Sequence, residues 1–323
     1  MLYPLTFQPI FKERVWGGRN LERLYQKHLP PSAPIGESWE ITDRPEGVSV
    51  IANGPLAGRT LRWLMEEHRE ELLGPSDTSA SRFPLLIKIL DAQETLSVQV
   101  HPPAAVAPKV GGEPKTEMWY IAEAAPGAEL FAGLKRGVTR EQFEAKIQDG
   151  TVAECIQGMK VNTGDALFLP SGRVHAIGAG NVIFEIQQNS DTTYRVFDWN
   201  RLGLDGKPRP LHLAEALMSV DFQDTEPSLI RSKYSENPVM KVRFLVNDPL
   251  FRVDACQVKR GQRFYLQSEG VQIIGLLAGK LAVGTEADGL SLAPGQFVLL
   301  PASLGRTPLR TETQVEFLHV QAG

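Results

Sequence analysis

Two short segments of the chain carry polar side chains in a pattern that suits a binding site. In LSVQVHP, alternate residues of an extended strand share one face, so Ser97, Gln99 and His101 point the same way. In KTEMWY, extended backbone places Lys115 and Glu117 together on one face. Burying polar side chains inside a β structure costs free energy unless they bind a ligand. Taken alone, however, either segment is also explained as a solvent-exposed face.

A third segment supplies a second histidine in a setting that aims it. Gly164 begins a turn, an apolar strand follows, and the turn Pro170–Gly172 redirects the chain just before His175. With His101 and Glu117 this gives two imidazoles and one carboxylate, a set that suits Zn²⁺ or Fe²⁺ with coordination positions left open. The remaining histidines are interpreted as structural or surface residues: His28, His68, His212 and His319.

The composition limits the class of protein. Of 323 residues, 34 are Lys or Arg and 38 are Asp or Glu, a formal charge of −4, which argues against general binding of nucleic acid or anionic membranes. Cys155 and Cys256 lie far apart, which excludes a disulfide framework and a cysteine-type zinc site. The sequence has neither a signal-peptide pattern at its start nor an apolar run long enough to span a membrane. We therefore expect a cytoplasmic enzyme or binding protein.

Glycine and proline, 29 and 23 in number, separate short apolar runs and predict a mostly β protein with a few short helices. The predicted strands are Gly47–Ala52, Leu85–Leu90, Thr95–His101, Glu117–Ala122, Ala166–Pro170, Val182–Gln188, Lys241–Val246, Phe264–Leu266, Val271–Leu277, Lys280–Val283, Gln296–Leu300 and Gln314–Val320. The predicted helices are Thr60–Leu73, one begun by the capping-box pair Thr139 and Gln142, a small one begun by Thr151 and Glu154, and Leu213–Ser219.

The chain contains a weak internal echo. VNTGDALFLP, which ends at Pro170, resembles LAPGQFVLLP, which ends at Pro301, as expected if one small β-barrel is used twice. Five residues after each proline stand His175 and Arg306, so we expect a metal in the first copy alone. The polar, turn-rich segment between Asp221 and Met240 is the predicted domain boundary.

These motifs resemble known families. The spacing G-x5-P-x-G-x2-H from Gly164 to His175 is similar to the second cupin motif, although Ala179 stands where cupins usually have Asn. LSVQVHP, KTEMWY, PSGRVHAI and DTTYRVFDWNR resemble, in that order, the signatures of the short bacterial branch of type I mannose-6-phosphate isomerases. RVWGG and GESWE extend the resemblance, which runs from residue 1 to about residue 220. Gln99 in place of the first cupin His, and Glu117 far beyond His101, are typical of that branch.

The resemblance implies a fold and an activity. The fold would be mostly β, with two cupin-type β-barrel (jelly-roll) domains and a few short helices. Residues 1–230 would form the catalytic cupin domain with short helical insertions, and residues 231–323 a second, metal-free cupin-like β domain. The activity would be the zinc-dependent interconversion of D-mannose 6-phosphate and D-fructose 6-phosphate. The expected partner is a small sugar phosphate, and the expected state is a monomer or a weak homo-oligomer.

The resemblance also implies roles for individual residues. One Zn²⁺ per chain would be held by His101, Glu117 and His175. Arg195 and Lys115 would be catalytic, and the residues expected to bind substrate are Ser97, Gln99 and Arg201. Whether Gln99 ligates directly or through water stays open. The proton-transferring base is also open between Lys115, a metal-bound water and a carboxylate such as Glu40.

Two other functions fit parts of the pattern. An Fe²⁺-dependent cupin dioxygenase would use the same kind of ligands, but such sites are generally richer in histidine, and Lys115 and Arg195 would have no task. A non-catalytic sugar-binding cupin would need no intact ligand set, and a sensor would need an appended DNA-binding domain, which the sequence does not show.

Overall fold

The computed structural model describes residues 2–75, 81–267, 269–285 and 289–323. Strands dominate, and the prediction of a mostly β protein is confirmed. In the first half the strands are β1 Ile10–Gly18, β2 Ile35–Ile41, β3 Asp43–Arg44, β4 Gly47–Val48, β5 Leu85–Ala92, β6 Val98–Val100, β7 Glu117–Ala124, β8 Glu129–Leu134, β9 Ile156–Lys160, β10 Ala166–Leu169, β11 His175–Ile177, β12 Asn181–Gln188 and β13 Tyr194–Phe197.

The second half repeats this strand-rich pattern. Its strands are β14 Ser235–Glu236, β15 Met240–Asp248, β16 Phe251–Val258, β17 Arg263–Gln267, β18 Gln272–Ala278, β19 Leu281–Val283, β20 Leu290–Leu292, β21 Phe297–Leu300, β22 Arg306–Thr311 and β23 Val315–Ala322.

Each half is built from two facing sheets. The first half pairs a sheet of order β1-β2-β5-β12-β7-β10 with one of order β13-β6-β11-β8-β9. The second half pairs β14-β15-β16-β23-β18-β21 with β17-β22-β19-β20. The six-stranded sheets correspond position by position when β10 is matched with β21, so the echo in the sequence marks a repeated arrangement. Among the described residues no sheet closes on itself, and the prediction of two cupin-type β-barrel (jelly-roll) domains is not confirmed.

The apolar cores follow the sheets. One cluster lies between the sheets of the first half, around Trp119 and Leu167, and another lies between those of the second half, around Ile274 and Phe317. A third joins the halves, since it contains both Phe184 and Phe297, whose ring centroids are 5.2 Å apart.

The helices are short: α1 Asn20–Tyr25, α2 Leu61–Glu67, α3 Arg69–Leu73, α4 Arg140–Gln148 and α5 Leu213–Ser219. The predicted helix Thr60–Leu73 is divided at His68, whose φ of −136° leaves the helical region. The capping box of Thr139 and Gln142 is confirmed at the start of α4. The small helix predicted after Thr151 is a 3₁₀ turn, Val152–Cys155. Among the helices in the described part of the chain, none has both the length and the apolar character of a membrane span.

Candidate metal centre and active site

Three polar side chains meet across neighbouring strands of the five-stranded sheet. Gln99 of β6 stands directly opposite His175 of β11 on one side and Arg195 of β13 on the other. Residues directly opposite in a sheet share a face. The amide nitrogen of Gln99 lies 3.4 Å from His175 Nε2. The β pairing therefore brings together three residues that the chain separates widely.

The facing six-stranded sheet contributes a row of charged and indole side chains. Lys88 of β5 stands opposite Glu185 of β12, and Glu185 stands opposite Trp119 of β7. Glu117 is two residues before Trp119 and so shares its face. Trp119 Nε1 donates to Glu185 Oε2 at 3.0 Å. This row forms the wall opposite Gln99.

The predicted metal ligands come together between the two sheets. One ligand atom each from His101, Glu117 and His175 lies within 4.8 Å of the others. His101 Nε2 is 3.6 Å from Glu117 Oε2, and His175 Nε2 is 3.4 Å from Glu117 Oε1. The three residues are at most 2% exposed.

Backbone carbonyls orient both imidazoles. His101 Nδ1 lies 2.8 Å from the carbonyl oxygen of Thr192, and His175 Nδ1 lies 2.9 Å from that of Arg173. A proton on each Nδ1 satisfies these contacts and leaves both Nε2 lone pairs directed at Glu117. Burial lowers the pKa of His101 and lowers that of His175 to about 3, so both rings are neutral, as metal ligation requires.

The carboxylate of Glu117 is poised for a cation. Both of its oxygens are buried and accept no hydrogen bond of good geometry from the described residues. Burial opposes its ionisation, but Lys115, whose Nζ is 2.7 Å from Oε2, and the two imidazoles hold its pKa well below the usual range. A buried, ionised carboxylate beside two neutral imidazoles whose Nε2 atoms face it fits a divalent metal ion, although Gln99 and Lys115 also approach those Nε2 atoms.

A cavity of about 610 Å³ adjoins this cluster: its lining includes Gln99 and Lys115, which contact His175 and His101, but none of the three predicted ligands. The predicted residues that line it are Ser97, Gln99, Lys115 and Arg195. Lys115 links the cavity to the cluster, since its Nζ also lies 3.3 Å from His101 Nε2. The cavity wall also carries charges of both signs: Arg14, Glu37, Lys88, Glu185, Asp191 and Arg209.

The two predicted arginines are placed differently. Arg195 lines the cavity, and its Nη1 donates to the carbonyl oxygen of Pro210 at 2.8 Å, while its buried Nε has no partner among the described residues. Arg201 is not among the lining residues. Its Nη2 lies 2.9 Å from Asp198, and its Nη1 lies 3.5 Å from Glu94.

The structure adds a charged cluster around Lys88 that sequence reasoning missed. Lys88 Nζ lies 3.1 Å from Asp191, 3.5 Å from Glu185 and 3.8 Å from Glu37. The carboxylate of Glu37 also accepts hydrogen bonds from Arg14 Nε and Trp39 Nε1, both at 2.6 Å. Burial opposes the ionisation of Glu37, but the neighbouring cations Lys88 and Arg14 lower its pKa to about 2. Single charged residues within the apolar runs LLIKIL and VIFEI were the available signal.

Glu40, considered as a base, lies elsewhere. Its Oε1 is 2.7 Å from Lys27 Nζ, and it lines a different cavity. Among the other histidines, His212 is closest to the site, with its Nδ1 3.3 Å from the backbone nitrogen of Arg195.

Comparisons with known proteins agree with this geometry. Residues 5–117 match the family model described as phosphomannose isomerase type I, catalytic domain. The mannose-6-phosphate isomerase of Streptococcus mutans is 35% identical over 305 residues, which are 94% of this chain and 94% of that protein. Mannose-6-phosphate isomerase ManA of Bacillus subtilis is 43% identical over 220 residues, 68% of each chain. The crystal structure of the mannose 6-phosphate isomerase from Bacillus subtilis covers 100% of both chains with a TM-score of 0.90 and 31% identity. The chain therefore belongs to the type I mannose-6-phosphate isomerase family.

Proposed function

We propose that this protein interconverts D-mannose 6-phosphate and D-fructose 6-phosphate with one bound zinc ion. The observation that carries the proposal is the buried group of His101, Glu117 and His175, which adjoins a cavity with basic side chains. His101, Glu117 and His175 would hold the divalent cation, which would supply positive charge to stabilise the anionic oxygen that develops at C1 or C2 of the substrate. The backbone carbonyls of Thr192 and Arg173, which contact His101 Nδ1 and His175 Nδ1, hold the two imidazoles with their Nε2 atoms directed at Glu117.

Lys115 and Arg195 are the proposed catalytic residues. The reaction removes a proton from C2 of the open-chain aldose and returns one to C1, so a group must hold it in transit. Lys115 stands beside the cluster and faces the cavity, which supports this role. Arg195 faces the same space, and its guanidinium can donate to an anionic substrate oxygen.

Substrate binding is assigned to the cavity wall. Ser97 and Gln99 offer neutral polar groups to the sugar, and the guanidinium groups of Arg14 and Arg209 can donate hydrogen bonds to a phosphate group. The amide nitrogen of Gln99 lies 3.4 Å from His175 Nε2, so Gln99 would stand beside a metal ion held by His175. The ion pairs of Arg201 with Asp198 and Glu94 support an indirect role, in which it fixes the segment that also holds Arg209.

The finer architecture belongs to the same proposal. We assign each half to a cupin-type jelly-roll unit made of two facing sheets, with residues 1–230 catalytic and residues 231–323 metal-free. We further propose that the enzyme is cytoplasmic, where a phosphorylated sugar is retained, and that it acts as a monomer or weak homo-oligomer.

The direct test is product formation. Purified, zinc-loaded protein is incubated with D-mannose 6-phosphate, and the products are followed by carbon-13 NMR. We expect D-fructose 6-phosphate to accumulate until equilibrium is reached from either side. A folded, zinc-loaded protein that leaves the substrate unchanged contradicts the proposal.

A further inference from the structure

A second cavity, of about 530 Å³, lies where the N-terminal segment meets β20 and β21, and its lining contains none of His101, Glu117 and His175. The residues that matter in its lining are Tyr25, Lys27, Glu40, Ser291, Gln296 and Phe297. Its volume is in the range of small-molecule sites. None of the residues assigned to the isomerase reaction lines it.

A buried ion pair forms part of its wall. Lys27 Nζ lies 2.7 Å from Glu40 Oε1, and the two side chains are 8% and 6% exposed. Ser38 Oγ also donates to Glu40 Oε1 at 2.5 Å. Within the described parts of the chain, the ammonium of Lys27 has no partner besides Glu40, although it carries three N–H donors. Two donors are therefore available to a molecule in the cavity.

Burying the ion pair of Lys27 and Glu40 costs desolvation free energy, so its presence here calls for a functional reason. Burial of two charges generally stabilises a fold no better than an apolar pair of the same size. The backbone nonetheless presents Lys27 by a specific device: Gln26, with φ of 53°, ends α1 in the left-handed conformation, and its backbone N–H donates to Glu22 at 3.0 Å. This arrangement holds Lys27 over Glu40 of the neighbouring strand.

The lining selects a chemical class. One ammonium and one carboxylate give this wall no net charge. An anionic ligand would be repelled by Glu40, and a cationic ligand would be repelled by Lys27. Hydroxyl groups can accept from Lys27 and donate to Glu40 at once, and Ser291 and Gln296 add further neutral polar groups. The rings of Tyr25 and Phe297 provide apolar surface for a C–H face.

We propose that this cavity is a second binding site, for an uncharged polyhydroxylated molecule of hexose size. The site is connected to the isomerase cavity through β2, because Glu37 and Glu40 lie on opposite faces of that strand and line the two cavities respectively. The inference does not depend on the isomerase activity, since it rests on residues outside that site.

The test is equilibrium binding of D-mannose and D-mannitol to the full chain, measured by saturation-transfer NMR and isothermal titration calorimetry. Lys27→Met keeps the aliphatic stem and removes the donors, and we expect binding to weaken by about tenfold or more. Ser291→Phe is a second variant, at an exposed position that lines the cavity, and it adds bulk there while leaving Lys27 and Glu40 unchanged. Arg136→Met, at an exposed position outside both cavities, is the matched control and is expected to bind both probes as the wild type does. Lys115→Met reports on binding of the probes in the isomerase cavity.

The variants distinguish binding in the second cavity from binding in the isomerase cavity. Weakened binding in Lys27→Met and Ser291→Phe, with normal binding in Arg136→Met, supports the second site. Absence of binding of both probes to the wild-type protein overturns it. Binding that is lost in Lys115→Met but kept in Ser291→Phe places the probes in the isomerase cavity and also overturns it.

Discussion

Glu117 and Gln272 occupy corresponding places in two strands that are built alike. Glu117 begins β7 and stands opposite Leu169 of β10, whereas Gln272 begins β18 and stands opposite Leu300 of β21. Each leucine directly precedes a proline, and His175 and Arg306 follow those prolines by five residues. The second half thus has an amide and a guanidinium where the first half has a carboxylate and an imidazole.

This correspondence predicts the metal content. We expect one equivalent of zinc per chain by inductively coupled plasma mass spectrometry, because an amide and a guanidinium are poor substitutes for anionic and imidazole ligands. His175→Ala should lose the zinc, and Gln272→Ala should retain it. His28→Ala is the control for loss of an exposed histidine. Full zinc in purified His175→Ala would remove that residue from the ligand set.

Arg195→Lys tests the geometry of the cation in the isomerase cavity. Lysine keeps the charge but cannot both donate to Pro210 and present a planar fork to the substrate. We expect kcat/KM to fall by about tenfold to a hundredfold. Arg136→Lys, whose side chain is 82% exposed, is the control and should retain wild-type kinetics. Unchanged kcat/KM in Arg195→Lys would show that Arg195 does not contact the reacting substrate.

The two halves should unfold together. Phe184 and Phe297 are both buried, and their tilted rings are in contact across the junction, so Phe184→Ala should lower the free energy of unfolding by about 3–5 kcal/mol. The exposed Leu202 provides the control, and its change to alanine should cost no more than about 0.5 kcal/mol. Denaturant unfolding followed by circular dichroism measures both. Two separate transitions in the wild-type protein would contradict a core shared between the halves.

His319 should make stability depend on pH. Burial, with a smaller effect of Arg252, lowers its pKa to about 4, whereas an unfolded histidine titrates near pH 6.5, so the unfolded chain binds more protons between these values. The free energy of unfolding should therefore decrease as the pH falls from about 6.5 to about 4, by at most about 3 kcal/mol from this group.

His319→Gln isolates that contribution. The amide can keep the contact with Gln272, which lies 2.6 Å from His319 Nε2, but it does not titrate. The stability difference between wild type and variant should change across this pH interval when urea denaturation is measured at each pH. A difference that stays constant would contradict the assignment.

The sequence was most informative where chemistry is encoded locally. The turn before His175 and the alternation around Gln99 predicted side chains that the structure brings together, because both patterns depend on neighbouring residues. Strand β1 was missed because Lys12, Glu13 and Arg14 interrupt its apolar pattern, although its partner β2 is fully buried.

The rest of the site depends on long-range pairing. Lys88 and Glu185 come together through the register of β5 with β12, which no local pattern specifies. Glu40 was a plausible base until its strand was placed, because a one-residue change in register moves a side chain to the opposite face. The pairing of Glu40 with Lys27 likewise requires the packing of α1 against β2.

The most direct test of the central claim is a coupled assay of D-fructose 6-phosphate formation from D-mannose 6-phosphate, before chelation, after chelation and after zinc is added back. The proposed metal site at His101, Glu117 and His175 predicts that chelation abolishes activity and that zinc restores it. Activity that persists in fully metal-depleted protein would contradict the account.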